Sequence, residues 1–237
     1  MRAVITFHHL GGDPGPLAYP VAAFEALLRS IAGRGLPIVG LDALLAPDAG
    51  PGVALAFDDG CASVLTAALP VLAAAAAPAH LFLCTGWVDG TLSAAARMPA
   101  VPPLDWDGIL RLHRHGVAIE GHTHGHPDLR GLDDARVADE CERADDAIAR
   151  RIGRRPRYFA YPYGRSDAGS RRVAAARYAA AFTTRLAALS GTDDRYRLPR
   201  VDAHFLRRGP IRDRLDGPVA RTWLAARGAL RAIGGRQ

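Results

Sequence analysis

Short, nearly continuous apolar runs recur along this chain, separated by longer stretches in which apolar residues fall three and four apart. The runs at 3–7, 53–57, 80–84, 117–120, 158–161 and 180–183 predict strands. The stretches at 20–34, 63–76, 105–115, 133–152 and 169–178 predict helices, the fourth opening with Asp133 in a capping position. Strand and helix alternate, which implies an α/β fold of parallel strands covered by helices. The sheet is then open or closed into a barrel, and both forms put functional loops at the strands' C-terminal ends. The stretch at 88–103, rich in proline and glycine and without a period, is the expected mobile or substrate-facing loop.

Length and composition narrow the class. A chain of 237 residues, 49% apolar and 23% charged, suits one soluble globular domain rather than a disordered chain. The net charge of +6 is uneven: residues 195–237 hold eleven Arg against Asp202, Asp213 and Asp216. Such a segment attracts any polyanion. From Val219 on, Val219, Trp223, Ala226, Leu230 and Ile233 share one helical face, and Arg221, Arg227 and Arg231 lie on other sides. Residues 211–237 are therefore expected to form a basic amphipathic helix after a domain at 1–210. That helix either packs on the domain or rests on an anionic membrane surface. Nucleic acid is not the expected partner, because Trp223 is the tail's one stacking residue and no reading motif accompanies it. Cys61, Cys84 and Cys141 are widely spaced, odd in number and outside any knuckle pattern. With no leader-like or membrane-spanning run in the sequence, a cytoplasmic protein is the expectation, at most peripheral to the inner face of the membrane.

Candidate chemistry sits where apolar runs end. Val53-Ala54-Leu55-Ala56-Phe57 stops in Asp58-Asp59-Gly60, and two adjacent carboxylates at a strand rim call for a positive partner such as a divalent metal. Val117-Ala118-Ile119 leads into Glu120-Gly121-His122-Thr123-His124-Gly125-His126. The four-residue spacing of His122 and His126 would set both imidazoles on one face of a helical turn, with His124 pointing elsewhere. One Asp and two His leave a coordination position open, as catalytic zinc sites do. A third rim, Pro162-Tyr163-Gly164, is a tight turn of the kind that offers a backbone N–H to an oxyanion.

Taken in order, Phe57-Asp58-Asp59-Gly60, His122-Thr123-x-x-His126-Pro127-Asp128-Leu129 and Phe159-Ala160-Tyr161-Pro162-Tyr163-Gly164 resemble the polysaccharide deacetylases with a NodB-homology domain, carbohydrate esterase family 4. The resemblance runs over about residues 1–205, takes in Leu104-Asp105-Trp106 and 197–202, and implies a distorted, incomplete (β/α) barrel of one domain. It further implies a metal-dependent N-deacetylase acting on an N-acetylated sugar or glycan. Asp59, His122 and His126 would hold Zn2+ or another divalent ion such as Co2+, Ni2+ or Fe2+. Asp58 would be the base and Tyr163 the oxyanion donor through its N–H.

Two departures from the family pattern bear on the remaining roles. No late Leu-x-His motif is present, and His204 is the only histidine near the C-terminus. Phe7-His8-His9 resembles the early histidine element of the exopolysaccharide subgroup, which makes His8 the expected acid and His9 the second choice. Ala160 stands where many members carry an arginine that braces the base, and Arg200 is the candidate replacement. An Asp-Trp element after Thr183-Thr184 is also missing. Rival readings are an amidohydrolase opening cyclic imides or ureides, and a non-catalytic carbohydrate-binding protein.

Overall fold

A computed structural model describes residues 1–12, 15, 17–92, 101–207, 217, 222–224 and 226–228. The chain runs β1 (Arg2–Phe7), β2 (His9–Leu10), β3 (Ala18–Tyr19), α1 (Val21–Gly33), α2 (Leu41–Leu44), β4 (Gly52–Asp59), α3 (Leu69–Ala74), β5 (Ala79–Leu83) and α4 (Thr85–Val88). It continues through α5 (Trp106–Arg114), β6 (Val117–Gly121), α6 (Asp134–Ile152), β7 (Tyr158–Ala160), α7 (Ala168–Arg177), β8 (Ala180–Phe182) and β9 (Val201–Asp202). Seven strands form one parallel sheet in the order β8-β7-β6-β5-β4-β1-β9, while β2 and β3 pair separately.

The sheet curls because its two faces carry side chains of different bulk. Ile5, Phe7, Leu55, Phe57, Leu81, Leu83 and Ile119 share an outer core with Phe24, Leu27 and Ile31 of α1 and with Ile109 and Leu112 of α5. The inner face is thinner, built on Ala54, Ala56, Ala160 and Ala180 around Phe82, Tyr158 and Phe182. Small inward residues let strands close around a narrow axis. One extended segment then links the two edges. Leu198 N–H donates to Ala181 O (3.0 Å) and Thr183 N–H to Leu198 O (2.9 Å), and a few residues on, Val201 and Asp202 pair with β1. The result is the incomplete barrel that the family resemblance implied, with the parallel strands and covering helices that the alternation predicted.

The rings of Phe7, Tyr19, Phe24 and Phe57 pack with centroids 5.0–5.9 Å apart and fix the start of α1 against β1 and β4. Each buried ring stabilises the fold by about 1.5–3 kcal/mol. The helix predicted at 63–76 opens as a π-turn, Val64–Ala68, before α3. Pro70 explains this: it has no N–H for the fourth residue back, and Leu69 N–H reaches Val64 O instead. Residues 93–100 of the expected mobile loop lie outside the described residues. The loop's flanks are fixed by Trp106 Nε1–H donating to Asp89 Oδ1 (2.7 Å) and Leu104 N–H to Gly60 O (2.8 Å).

Most of 211–237 lies outside the described residues, but Leu224 is buried in the outer core and Trp223 meets Phe205 at 5.8 Å. The expected stripe included Trp223 and omitted Leu224, which is the residue fully covered. Among the described residues no helix is long and apolar enough to cross a membrane.

One buried carboxyl gives the fold a pH dependence. Asp145 of α6 is 3% exposed and accepts from Tyr178 Oη (2.9 Å), with Arg177 and Arg155 at 3.7 and 3.9 Å. Burial outweighs these partners and pushes its carboxyl up to about 6. A carboxyl raised above its unfolded value loses its proton at a cost to the fold, so stability falls as pH rises from about 4 through 6. Asp145→Asn keeps an acceptor for Tyr178. It is expected to exceed the native protein in stability at pH 8, by on the order of 1–3 kcal/mol, and to match it near pH 4. Urea titrations with chelator present at both pH values check this; equal stability at pH 8 would contradict it.

Candidate metal and catalytic site

The residues singled out at the strand rims converge at the C-terminal end of the barrel. β4 delivers Asp58 and Asp59, both buried. Asp59 is left-handed (φ 74°) and is followed by Gly60 at φ 109°. L side chains rarely adopt the φ of Gly60, so glycine suits the turn that follows the two carboxylates.

The segment after β6 corrects the reasoning that selected its histidines. His122 and His126 do not share a helical turn. The backbone reverses in a loop with Thr123 at φ 65° and His126 at φ 51°, and Thr123 Oγ1 accepts the His126 N–H (3.1 Å). This local hydroxyl-capped turn, rather than a 3.6-residue period, brings the imidazoles together, with centroids 4.9 Å apart. His124 does point elsewhere, its two ring nitrogens meeting the hydroxyls of Thr85 (3.0 Å) and Thr91 (3.3 Å).

Nε2 of His122 and Nε2 of His126 stand 3.4 and 3.5 Å from Asp59 Oδ1. The three donor atoms lie within 4.8 Å of one another, the one such group among the described residues. Tetrahedral ligands about 2.1 Å from a zinc ion are about 3.4 Å apart, so the donor set fits. His122 Nδ1–H donates to Ala160 O (2.7 Å), which fixes the tautomer and leaves Nε2 free to ligate. Electrostatics agree. Burial raises the Asp59 carboxyl, but the hydrogen bond from His122 and the charges of His8, His122 and His126 outweigh it and hold Asp59 below the usual range. Burial and the neighbouring His122 push His126 down to about 4. Burial also pulls His122 down, yet its bond to Asp59 and both carboxylates raise it overall.

Arg200, expected as a replacement brace for the base, extends Nη1 to Asp58 Oδ1 at 2.7 Å. Both side chains are buried, Arg200 Nε–H donates to Thr183 O (3.1 Å), and its guanidinium lies 5.7 Å from the Phe82 ring. Arg200→Met would leave Asp58 buried without its counter-charge and is expected to cost about 3–5 kcal/mol in urea unfolding. Adding Asp58→Asn should recover most of that loss; an additive double variant would show that the pair is not coupled.

Tyr163 occupies a left-handed turn (φ 58°) and its ring packs on His126, centroids 4.7 Å apart. Of the five non-glycine residues with positive φ among those described, Asp59, Thr123, His126 and Tyr163 belong to this site. His8, partly exposed at the end of β1, is near enough for its charge to act on Asp59 and His126. His9 is buried in β2, and His204 is exposed. Burial pushes the Cys84 thiol up to about 12 and raises Cys61 as well, so neither offers a thiolate. Sequence reasoning missed the anchors Ala160 O and Thr183 O, which are backbone atoms and leave no signature in residue identity.

The family model for polysaccharide deacetylases matches residues 46–180, more than half of the chain, and takes in Asp58, Asp59, His122, His126 and Tyr163. The chain belongs to the polysaccharide deacetylase family. A chitin deacetylase from Arthroderma benhamiae is 36% identical over 74 residues, covering 30% of this chain and 20% of that protein. YlxY of Bacillus subtilis is 26% identical over 96 residues, covering 40% and 26%. The matched segments thus span about a quarter or less of those relatives. Among solved structures, the deacetylase PplD of Streptococcus pyogenes superposes with a TM-score of 0.75 at 20% identity, covering 84% of this chain and 91% of that one. IcaB from Ammonifex degensii gives 0.71 at 23% identity, covering 84% and 90%. These likenesses establish that the polysaccharide deacetylase fold extends over most of the chain.

Proposed function

We propose that this polysaccharide deacetylase is a metal-dependent N-deacetylase that hydrolyses the acetamide of an N-acetylated amino sugar. The observation that carries the reading is the convergence of Asp59, His122 and His126 beside Asp58, itself held by Arg200. A divalent cation, zinc by its fit to one carboxylate and two imidazoles, would supply Lewis acidity and acidify water. Asp58, oriented by Arg200, accepts a proton from the attacking water. Tyr163 N–H donates to the oxygen that gains negative charge as the carbonyl carbon becomes tetrahedral. His8 donates the proton that the departing amine requires, so the C–N bond breaks and acetate leaves. His9, buried in β2, is the second candidate for this role.

Acetate release from free, lipid-linked and polymeric N-acetylated sugars, with and without zinc, tests this reading. Zinc-dependent release supports it. A ring-opened acid from a cyclic imide, with no acetate from any sugar, would replace it with the amidohydrolase reading.

A further inference from the structure

Tyr163 holds a backbone conformation that an L-residue avoids, and the next residue, Gly164 (φ 67°), has Thr184 N 2.3 Å from where a Cβ would lie. The turn closes on itself through Gly164 N–H donating to Tyr161 O (2.8 Å) and Arg165 N–H to Pro162 O (3.1 Å), and the loop after β6 meets it and the segment that follows at three points. The His126 ring packs edge-on against the Tyr163 ring. Arg165 stands over the same ring, its guanidinium carbon 5.7 Å from the centroid, and donates from Nη1 to Asp128 Oδ2 at 3.0 Å. Further along, Gly131 N–H donates to Asp167 Oδ2 (2.9 Å), whose other oxygen caps α7 through Ser170 N–H (2.9 Å). The phenol ring is therefore held between an imidazole of the metal set and a guanidinium tied back to the loop that carries that imidazole.

We infer that Arg165, through its contact with Tyr163 and its ion pair with Asp128, is a positioning residue that holds the Tyr163 N–H in register with the metal ligands. Its effect on turnover rests on the deacetylase reading; its effect on the turn does not. Arg165 meets the Tyr163 ring and Asp128, so its described route to the reacting groups runs through Tyr163. Loss of the clasp should thus lower the rate of the chemical step and leave metal binding intact. A small displacement of a single oxyanion donor is enough to slow acyl chemistry about tenfold or more. Lysine retains the charge but not the planar fork that stacks and donates at once.

The experiment compares the zinc-loaded native chain with Arg165→Met, Arg165→Lys and Asp128→Asn in two assays. Amide hydrogen exchange over 161–166 reports the turn, and acetate release from an N-acetylglucosamine oligomer reports turnover. A chelating dye measures zinc affinity. Arg165→Met is expected to speed exchange at 163–164 severalfold and to lower kcat about tenfold, with KM and zinc affinity within about twofold of native. Arg165→Lys should recover part of both losses, and Asp128→Asn should reproduce them in milder form. Unchanged exchange in Arg165→Met and Asp128→Asn would overturn the inference, as would faster exchange with kcat unaltered. Should the native chain release no acetate, the deacetylase reading fails, and exchange alone still decides whether Arg165 holds the turn.

Discussion

Asp58→Asn is expected to bind zinc as tightly as the native chain and to release acetate about 10²–10⁴-fold more slowly, the range that a general base contributes. The substitution isolates one function. Asparagine keeps the shape of the side chain and an oxygen that can accept from Arg200 Nη1, now 2.7 Å from Asp58 Oδ1. It does not alter Asp59, His122 or His126, the three residues that could hold the metal. What it removes is the capacity to take a proton. Initial rates of acetate release, paired with zinc competition, separate the two quantities. A variant retaining a tenth or more of native kcat would remove Asp58 from the role of base, and lost zinc affinity would instead make it part of the metal site.

Loss of His122 should act on the metal itself. Zinc at a hundred times its dissociation constant stabilises a folded protein by about 2.7 kcal/mol. For a chain of this size that corresponds to a Tm rise of about 5–10 °C. His122→Ala is expected to abolish this rise and, with it, acetate release, because it removes the one imidazole whose tautomer Ala160 O fixes. The pH dependence has a definite sign. His122 is raised above its ordinary value by Asp59 and Asp58, so without metal it adds stability at low pH that disappears as pH rises through its folded value. Zinc takes the place of that proton, and the zinc-induced rise should therefore shrink as pH is lowered from 8 to 5. His126, at about 4, contributes little over this window. Differential scanning with zinc or chelator across this range measures the effect, and a rise equally large at pH 5 and pH 8 would remove proton competition at His122.

The sequence carried the layout of the fold and the candidate metal-binding group for different reasons. The six principal strands are buried along their length, so their apolar runs stand out against the helical period of the segments between them. Two-residue strands such as β2, β3 and β9 have no period to read. At the site, the pairing of carboxylates at a strand rim and of imidazoles at another was visible in residue type alone. The path between His122 and His126 was not, because two left-handed residues and a threonine hydroxyl set it, and helical spacing picked out two imidazoles that a different geometry brings together. Arg200 meets Asp58 across 142 positions of sequence, a contact that no local pattern can announce; the absent arginine at Ala160 only implied that a substitute was needed. Asp128 stood within the motif after His126, but its half-buried pairing with Arg165, 37 positions on, had no local pattern to announce it.

The segment from Arg195 to Asp202 closes the gap between β8 and β1 and carries Arg200 within it. The Arg200–Asp58 contact of the candidate site is therefore tied to this seam of the barrel. A chain with β1 and β4 to β7 in place but this seam unfastened would already own every donor atom of its metal set, yet its base would lack the guanidinium that orients it. On the proposed reading, loosening this seam would lower turnover while sparing the three metal-donor side chains, which lie on other segments.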